Sequence, residues 1–258
     1  MSLRFVEGFK FTKLDSPIHK MDPRSKFVLT TGLFITALMF TNVFALITIL
    51  VLQIPLILIS RTSRRWLRSM KAGVFLGAFI FAINAISGTS LILAIAFSLR
   101  FFAIMSAFSF FFMTTSPDDL GLSLDQIHVP YSISFTFTTA VRLVPTMAID
   151  AQTVVDAQRS RGLELDKGSL MKRIRNYIPI LIPLIISAIR RSVELAEALE
   201  SRAFGATEHR TALVTLKLHF VDYLTIMGTI LGVALATYVY FRVPLPTLNI
   251  PIKLPRIF

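Results

Sequence analysis

The chain has 258 residues, 54% of them hydrophobic and 16% charged, whereas a soluble domain averages about 45–50% apolar and about 25% charged. The net charge of +12 admits two readings: cations that meet nucleic acid phosphates, or loop cations held on the cytoplasmic side of a membrane. With no cysteine, disulfide and thiol chemistry are excluded. Residues 1–26 are polar and mixed in charge, without the apolar core and cleavage site of a signal peptide, so insertion is expected to rely on internal helices.

Residues 27–60 carry no charge. As one helix they would be about 51 Å long, too long for a hydrocarbon core of about 30 Å. Thr41-Asn42 is the plausible turn and divides them into two short helices. Residues 61–72 read as a basic loop with five cations and no anion. Residues 73–115 are apolar apart from Arg100, and Ser87-Gly88-Thr89-Ser90 splits them into two further helices. Ser116-Pro117-Asp118-Asp119 then starts a helix, with Ser as cap, Pro in the first turn and acids at the positive dipole end. From there to residue 221 the chain is amphipathic. Its apolar patches at 131–141 and 177–189 are too short to span and contain or adjoin Pro130, Pro145, Pro179 and Pro183, so they are expected to lie against the membrane or the bundle. Residues 223–240 form one last span, followed by a proline-rich tail.

The 27 cations are distributed as six in 1–26, five in 61–71, twelve in 116–221, Arg100, and three after the last span. With four spans before residue 116, the three basic regions share one side, and the positive-inside rule makes it the cytoplasm. The charge then requires no nucleic acid.

A short repeat is the most informative motif. Ala157-Gln158-Arg159-Ser160-Arg161-Gly162 resembles Ala198-Leu199-Glu200-Ser201-Arg202-Ala203, and each lies at the end of an amphipathic helix. Gly162 can close the first helix in the left-handed conformation; Ala203 adopts it less easily, so the second stop is expected at Gly205. A small residue beside an exposed Arg lets a partner backbone approach while the guanidinium makes a two-pronged bond to a carboxylate. Two ordinary helix ends with dipole-favoured arginines fit the same pattern.

Other features have a structural and a functional reading. Asp22-Pro23-Arg24 reads as a helix start, or as an anchor of the N-terminus against the two long amphipathic helices that end in the repeat. Arg100 is a candidate intramembrane polar site, or a side chain that reaches the headgroups by its stem. Gly73-x3-Gly77 and Gly228-x3-Gly232 would permit close helix packing. Arg190-Arg191 with Glu194 and Glu197 offers helix-spaced ion pairs on a solvated face. Residues 162–169 (GLELDKGS) lack the Gly-Lys-Ser/Thr ending of a phosphate loop. His19, His128, His209 and His219 show no metal-ligand spacing, and no catalytic carboxylate pair is recognisable.

The chain resembles the transmembrane T component of energy-coupling factor (ECF) transporters, a class of ABC importers for vitamins and metal ions such as cobalt. SPIHKMDPRSK at 16–26 is similar to the family's Ser-Pro-x-His-x-Leu-Asp-Pro-Arg-Thr-Lys, with Met21 for Leu and Ser25 for Thr. RLVPTMAIDAQTVVDAQRSRG at 142–162 resembles the segment that ends in the first Ala-Arg-Gly signature, and YIPILIPLIISAIRRSVELAEALESRAFG at 177–205 the segment that ends in the second. Here the signatures read Ser160-Arg161-Gly162 and Ser201-Arg202-Ala203. The resemblance implies two long crossed coupling helices whose tips dock, through Arg161 and Arg202, in grooves of two ATPase subunits. It also implies a substrate-binding membrane S component as partner, with ATP and Mg held by the ATPases and no cofactor on this chain.

Together these readings predict an all-α polytopic bundle of about five spans with a cytoplasmic helical coupling domain. The expected divisions are 1–115, 116–221 and 222–258. The expected function is a non-catalytic scaffold and coupling subunit of a plasma-membrane importer. A stand-alone carrier using Arg100 and a membrane enzyme are the alternatives.

Overall fold

The computed structural model describes residues 16–127, 129–164, 169–206, 216 and 218–242. The proline-rich tail, His128, His209 and residues 165–168 of the phosphate-loop-like stretch lie outside them. Eight helices are present among the described residues: α1 Pro23–Met39, α2 Val43–Ile59, α3 Ser63–Ile86, α4 Leu91–Thr114, α5 Pro117–Gln126, α6 Tyr131–Ser160, α7 Leu170–Glu200 and α8 Phe220–Arg242. Among the described residues the chain is all-helical, a polytopic membrane bundle.

The described residues fall into two compact units, one of 16–123 with 216 and 218–242, the other of 124–127, 129–164 and 169–206. In the first, α4 is central and packs on α1, α2 and α3, while α8 packs on α1. Small residues bring these axes together. A Cβ at Gly32 of α1 would stand 2.3 Å from Thr229 Cγ2 of α8, and one at Gly77 of α3 would stand 2.7 Å from the Phe102 ring of α4. Gly73 faces Met105 in the same way, so Gly73-x3-Gly77 is a packing motif, whereas Gly228 and Gly232 meet nothing within 4 Å.

Caps account for the helix boundaries. Asp22 Oδ1 accepts from Arg24 N at 2.9 Å with Pro23 in the first turn of α1, and Asn42 Oδ1 accepts from Phe44 N at 2.9 Å to start α2. Ser116 Oγ accepts from Asp119 N at 3.1 Å to start α5. The expected turns at Thr41-Asn42 and Ser87–Ser90 are therefore present. The basic stretch differs from expectation. Its residues 63–71 are helical and form the first turns of α3, because Arg and Lys are good helix formers and nothing between Thr62 and Ser87 breaks the pattern.

Among the described residues four helices, α3, α4, α6 and α8, are long and apolar enough to cross a membrane by length and composition; α6 was not among the five spans expected, and α1 and α2, which were, are shorter. α1 and α2 have 17 residues each, or about 25 Å. Their turn stops short for a visible reason. Arg100 Nη2 donates to Phe40 O at 2.7 Å and to Thr41 Oγ1 at 3.0 Å. Arg100 stands about 14 Å along α4 from its Leu91 start, so the α1–α2 turn lies near the middle of α4. Conversely, α6 runs unbroken through Pro145, and α7 through Pro179 and Pro183. The apolar patches at 131–141 and 177–189 are parts of helices of 30 and 31 residues rather than short segments.

Candidate functional site at the two helix tips

In the second unit α6 and α7 pair antiparallel. Asp150 Oδ2 accepts from Arg191 Nη2 at 2.7 Å; this replaces the helix-spaced pairing expected of Arg191 with its own Glu neighbours. Toward the end of α6, Gln158 Nε2 donates to Pro179 O at 3.2 Å. That carbonyl has lost its usual helical donor because residue 183 is proline, so Gln158 supplies what the α7 backbone lacks. Beyond it, Asn176 Nδ2 donates to Glu164 O at 2.8 Å. At the other end Phe204 packs on Phe135, with ring centroids 4.9 Å apart, and on Tyr131 at 6.0 Å.

The two tips close identically. After α6, Gly162 N donates to Arg159 O at 2.9 Å and Leu163 N to Gln158 O at 3.0 Å, with Gly162 at φ +86. After α7, Ala203 N donates to Glu200 O at 2.9 Å and Phe204 N to Leu199 O at 3.0 Å, with Ala203 at φ +56. Both are Schellman closures, in which one residue in the left-handed region lets two amides turn back on the last carbonyls. The expectation that the second stop waits for Gly205 is corrected. Ala203 takes the left-handed turn itself, and Gly205, at φ +93, comes after it. Two backbone bonds and the Phe204 ring contacts hold an alanine where glycine would be cheaper.

These equivalences share a constant offset of 41 residues, from Arg161 to Arg202, from Gly162 to Ala203, and from Leu163 to Phe204. Asp150 and Arg191 are related by the same offset, so the ion pair joins two equivalent positions and marks a pseudo-two-fold axis through the helical pair. Phe204 on Phe135 is matched under that axis by the 163–164 turn beside Asn176. The tips therefore face opposite ends of the pair. Ser160, Arg161, Gly162, Ser201, Arg202 and Ala203 are all exposed. Among the described residues, neither the Arg161 nor the Arg202 guanidinium donates a hydrogen bond. No group of three or more metal-ligating side chains occurs among the described residues.

The remaining predicted residues are structural in geometry. Asp22 caps α1 and holds Arg24 through Nε at 3.1 Å and Nη2 at 2.9 Å. Its backbone N–H donates to Asp222 Oδ1 at 2.9 Å, so the segment is anchored on the start of α8. Asp222, fully buried, was not singled out by the sequence. It also accepts from His219 N at 2.8 Å and lies 2.8 Å from Ser25 Oγ. An acid three residues after a helix cap that reaches back to the cap amide is a capping-box pattern, and His219-x-x-Asp222 carried that signal. Lys26, 1% exposed, likewise escaped notice; its Nζ donates to Thr114 O at 2.9 Å and to His19 O at 3.2 Å, closing the end of α4. Arg100 closes α1, and its guanidinium lies over the Phe97 ring at 5.5 Å.

Bundle and paired tips together define a multi-pass membrane subunit that presents two equivalent arginine-bearing helix ends. The CbiQ family, described as cobalt transport protein, matches residues 15–213. The energy-coupling factor transporter transmembrane protein EcfT of Ruminiclostridium cellulolyticum is 31% identical over 88% of this chain and 95% of its own length. EcfT of Lactococcus lactis subsp. cremoris is 31% identical over 88% of this chain and 93% of its own, and that of Clostridium kluyveri 30% identical over 81% and 87%. The chain belongs to this family, the transmembrane T components of energy-coupling factor transporters.

Proposed function

We propose that this chain is the scaffold and coupling subunit of an ECF-type ABC importer, joining two ATPase subunits to a substrate-binding membrane S component for vitamin or metal-ion uptake. ATP and Mg are held by the ATPases, and this chain binds no cofactor. The helical pair and the N-terminus face the cytoplasm of the plasma membrane, on the side of the three basic regions.

The observation that carries this reading is the equivalence of the two tips. Identical closures related by a pseudo-two-fold axis suit a partner with two like sockets, and unengaged guanidiniums suit carboxylates in those sockets. A rigid pair held at its centre by Asp150–Arg191 moves as one body when the sockets move. Retention of the ATPases on the tagged full complex in detergent tests it. Arg161→Ala or Arg202→Ala removes an anchor, and such truncations cost about 2–4 kcal/mol, or about 30- to 900-fold in affinity. Full ATPase recovery with the double variant would refute the arginine-anchor mechanism.

A further inference from the structure

Where α2 ends and α3 begins, an open groove of about 210 Å³ is lined by Ile54, Leu58, Trp66 and Leu67, with Arg64 at its edge. It is too small to enclose a whole small molecule, which needs about 300 Å³ or more, but it suits a stretch of hydrocarbon chain. Its floor is fixed. Trp66 Nε1 donates to Ser106 Oγ at 2.9 Å, and Ile57 belongs to a buried cluster with Ile18 and Phe110. Arg64 lines the groove, and its sequence neighbours Arg61, Arg68 and Lys71 are exposed as it is, with no acid between residues 61 and 71. Arg64, Arg68 and Lys71 recur at helical spacing on one face of α3. None of the four side chains donates a hydrogen bond among the described residues, whereas Lys26 and Arg100 are both engaged internally. Arg61 also holds the left-handed conformation at φ 55, which turns the chain sharply from α2 into α3.

We infer that this groove is a binding site for an anionic phospholipid, with an acyl chain along Ile54, Leu58 and Leu67 and the phosphate on Arg64 and its basic neighbours. Charge complementarity selects the occupant. A zwitterionic lipid would leave the cationic rim without net compensation, and a free anion would leave the apolar floor uncovered. Tryptophans favour the zone between headgroup and chain, and Trp66 lines this groove. The proposal is independent of the tip mechanism, because it uses no residue of α6 or α7.

Trp66 is the chain's one tryptophan, so its fluorescence reports the groove directly. The full chain is reconstituted in phosphatidylcholine vesicles, and a small fraction of the lipid is replaced by phosphatidylglycerol or phosphatidylcholine brominated on the acyl chains. A bound anionic lipid predicts that brominated phosphatidylglycerol quenches as if enriched about fivefold or more over its bulk fraction, while brominated phosphatidylcholine quenches in proportion to its fraction. Arg64→Gln with Arg68→Gln keeps the aliphatic stems and should abolish the excess while leaving the phosphatidylcholine response unchanged, which also shows that the groove is intact. Equal quenching by the two lipids, or an excess that survives the double substitution, would overturn the proposal. So would loss of the excess in the assembled complex, which would assign the groove to a partner protein.

Discussion

Arg100 and Arg202 carry the same guanidinium in opposite circumstances. Arg100 is bound by its own chain, closing α1 at Phe40 O, whereas Arg202 is exposed at a tip that its own backbone has already closed. The contrast extends to the two units. In the bundle, Asp222, Lys26 and Arg100 each supply a partner to backbone groups at a helix end. In the helical pair the only described buried side chains are Ser134 and Ile180, and α7 leaves Ile174, Ile178, Leu181, Ile185 and Ile189 open along one face. Polar groups turned inward make a base that holds itself together. Polar and apolar groups turned outward make a surface whose energy is realised with something else.

The largest expected effect follows from Asp222. Asp222→Ala strips the acceptor from the Asp22 and His219 amides and from Ser25 at once. Removing one partner of a buried charged network costs about 3–5 kcal/mol. Thermal unfolding in detergent should show a large loss, while Arg161→Ala and Arg202→Ala stay within about 0.5 kcal/mol of the parent. A parent-like midpoint for Asp222→Ala would break the comparison on the bundle side. Strong destabilisation by the tip variants would break it on the other.

Glycines sharpen it within the bundle. Gly32→Ala places a methyl 2.3 Å from Thr229 Cγ2, and overpacking of this kind costs about 1–3 kcal/mol. Gly228→Ala meets nothing within 4 Å and should be neutral or stabilising by about 0.5–1 kcal/mol. The same unfolding measurement separates them, and equal costs would mean that the α1–α8 contact is not where the bundle is tight.

A smaller effect compares the tips with each other. Ala203 holds a conformation that disfavours side chains by about 1–2 kcal/mol. Ala203→Gly should therefore slow amide exchange at Phe204 by about fivefold or more, and Gly162→Ala should speed it at Leu163 by a similar factor. No atom lies within 4 Å of a Cβ at Gly162, so only the backbone conformation is at stake there. Unequal responses would show that the Phe204–Phe135 contact, absent from the Leu163 tip, carries the second closure instead.

The all-helical class, the turns at Thr41-Asn42 and Ser87–Ser90, and the ends of the two amphipathic helices, though not the closing residue of the second, were legible because each has a local cause: an uncharged run, a capping side chain or a repeated sextet. Three features were not. The apolar patches that hold or adjoin Pro145, Pro179 and Pro183 read as short, yet the freed Pro179 carbonyl finds Gln158 across the pair, a partner that no local pattern announces. The depth of the α1–α2 turn was not legible, because nothing near residue 40 says that a cation sixty residues later will donate to its carbonyl. Asp222 was missed because an acid at the start of an apolar span looks like a dipole-favoured end residue, and its partners Asp22 and Ser25 lie about two hundred positions away.

His19 supplies the finest test, since it sits where the N-terminal segment meets the bundle. Its Nδ1 is 2.7 Å from Ser16 Oγ. Burial, and then the positive charge of Lys26, lower its pKa below the ordinary 6.5, with Arg65 acting in the same direction and a backbone contact to Met113 opposing them. The folded chain therefore prefers the neutral ring, and the unfolded chain takes up the proton at higher pH. Stability from this group is fully present above pH 6.5 and falls as the pH drops below it. Because the ring is only half-buried, the slope should be shallow. His19→Asn keeps an acceptor for Ser16 and cannot titrate, so its unfolding midpoint should vary less than the parent's between pH 6.5 and about pH 5. A fall in the variant as steep as the parent's, or steeper, would mean that the proton taken up by His19 is not what weakens the fold in acid.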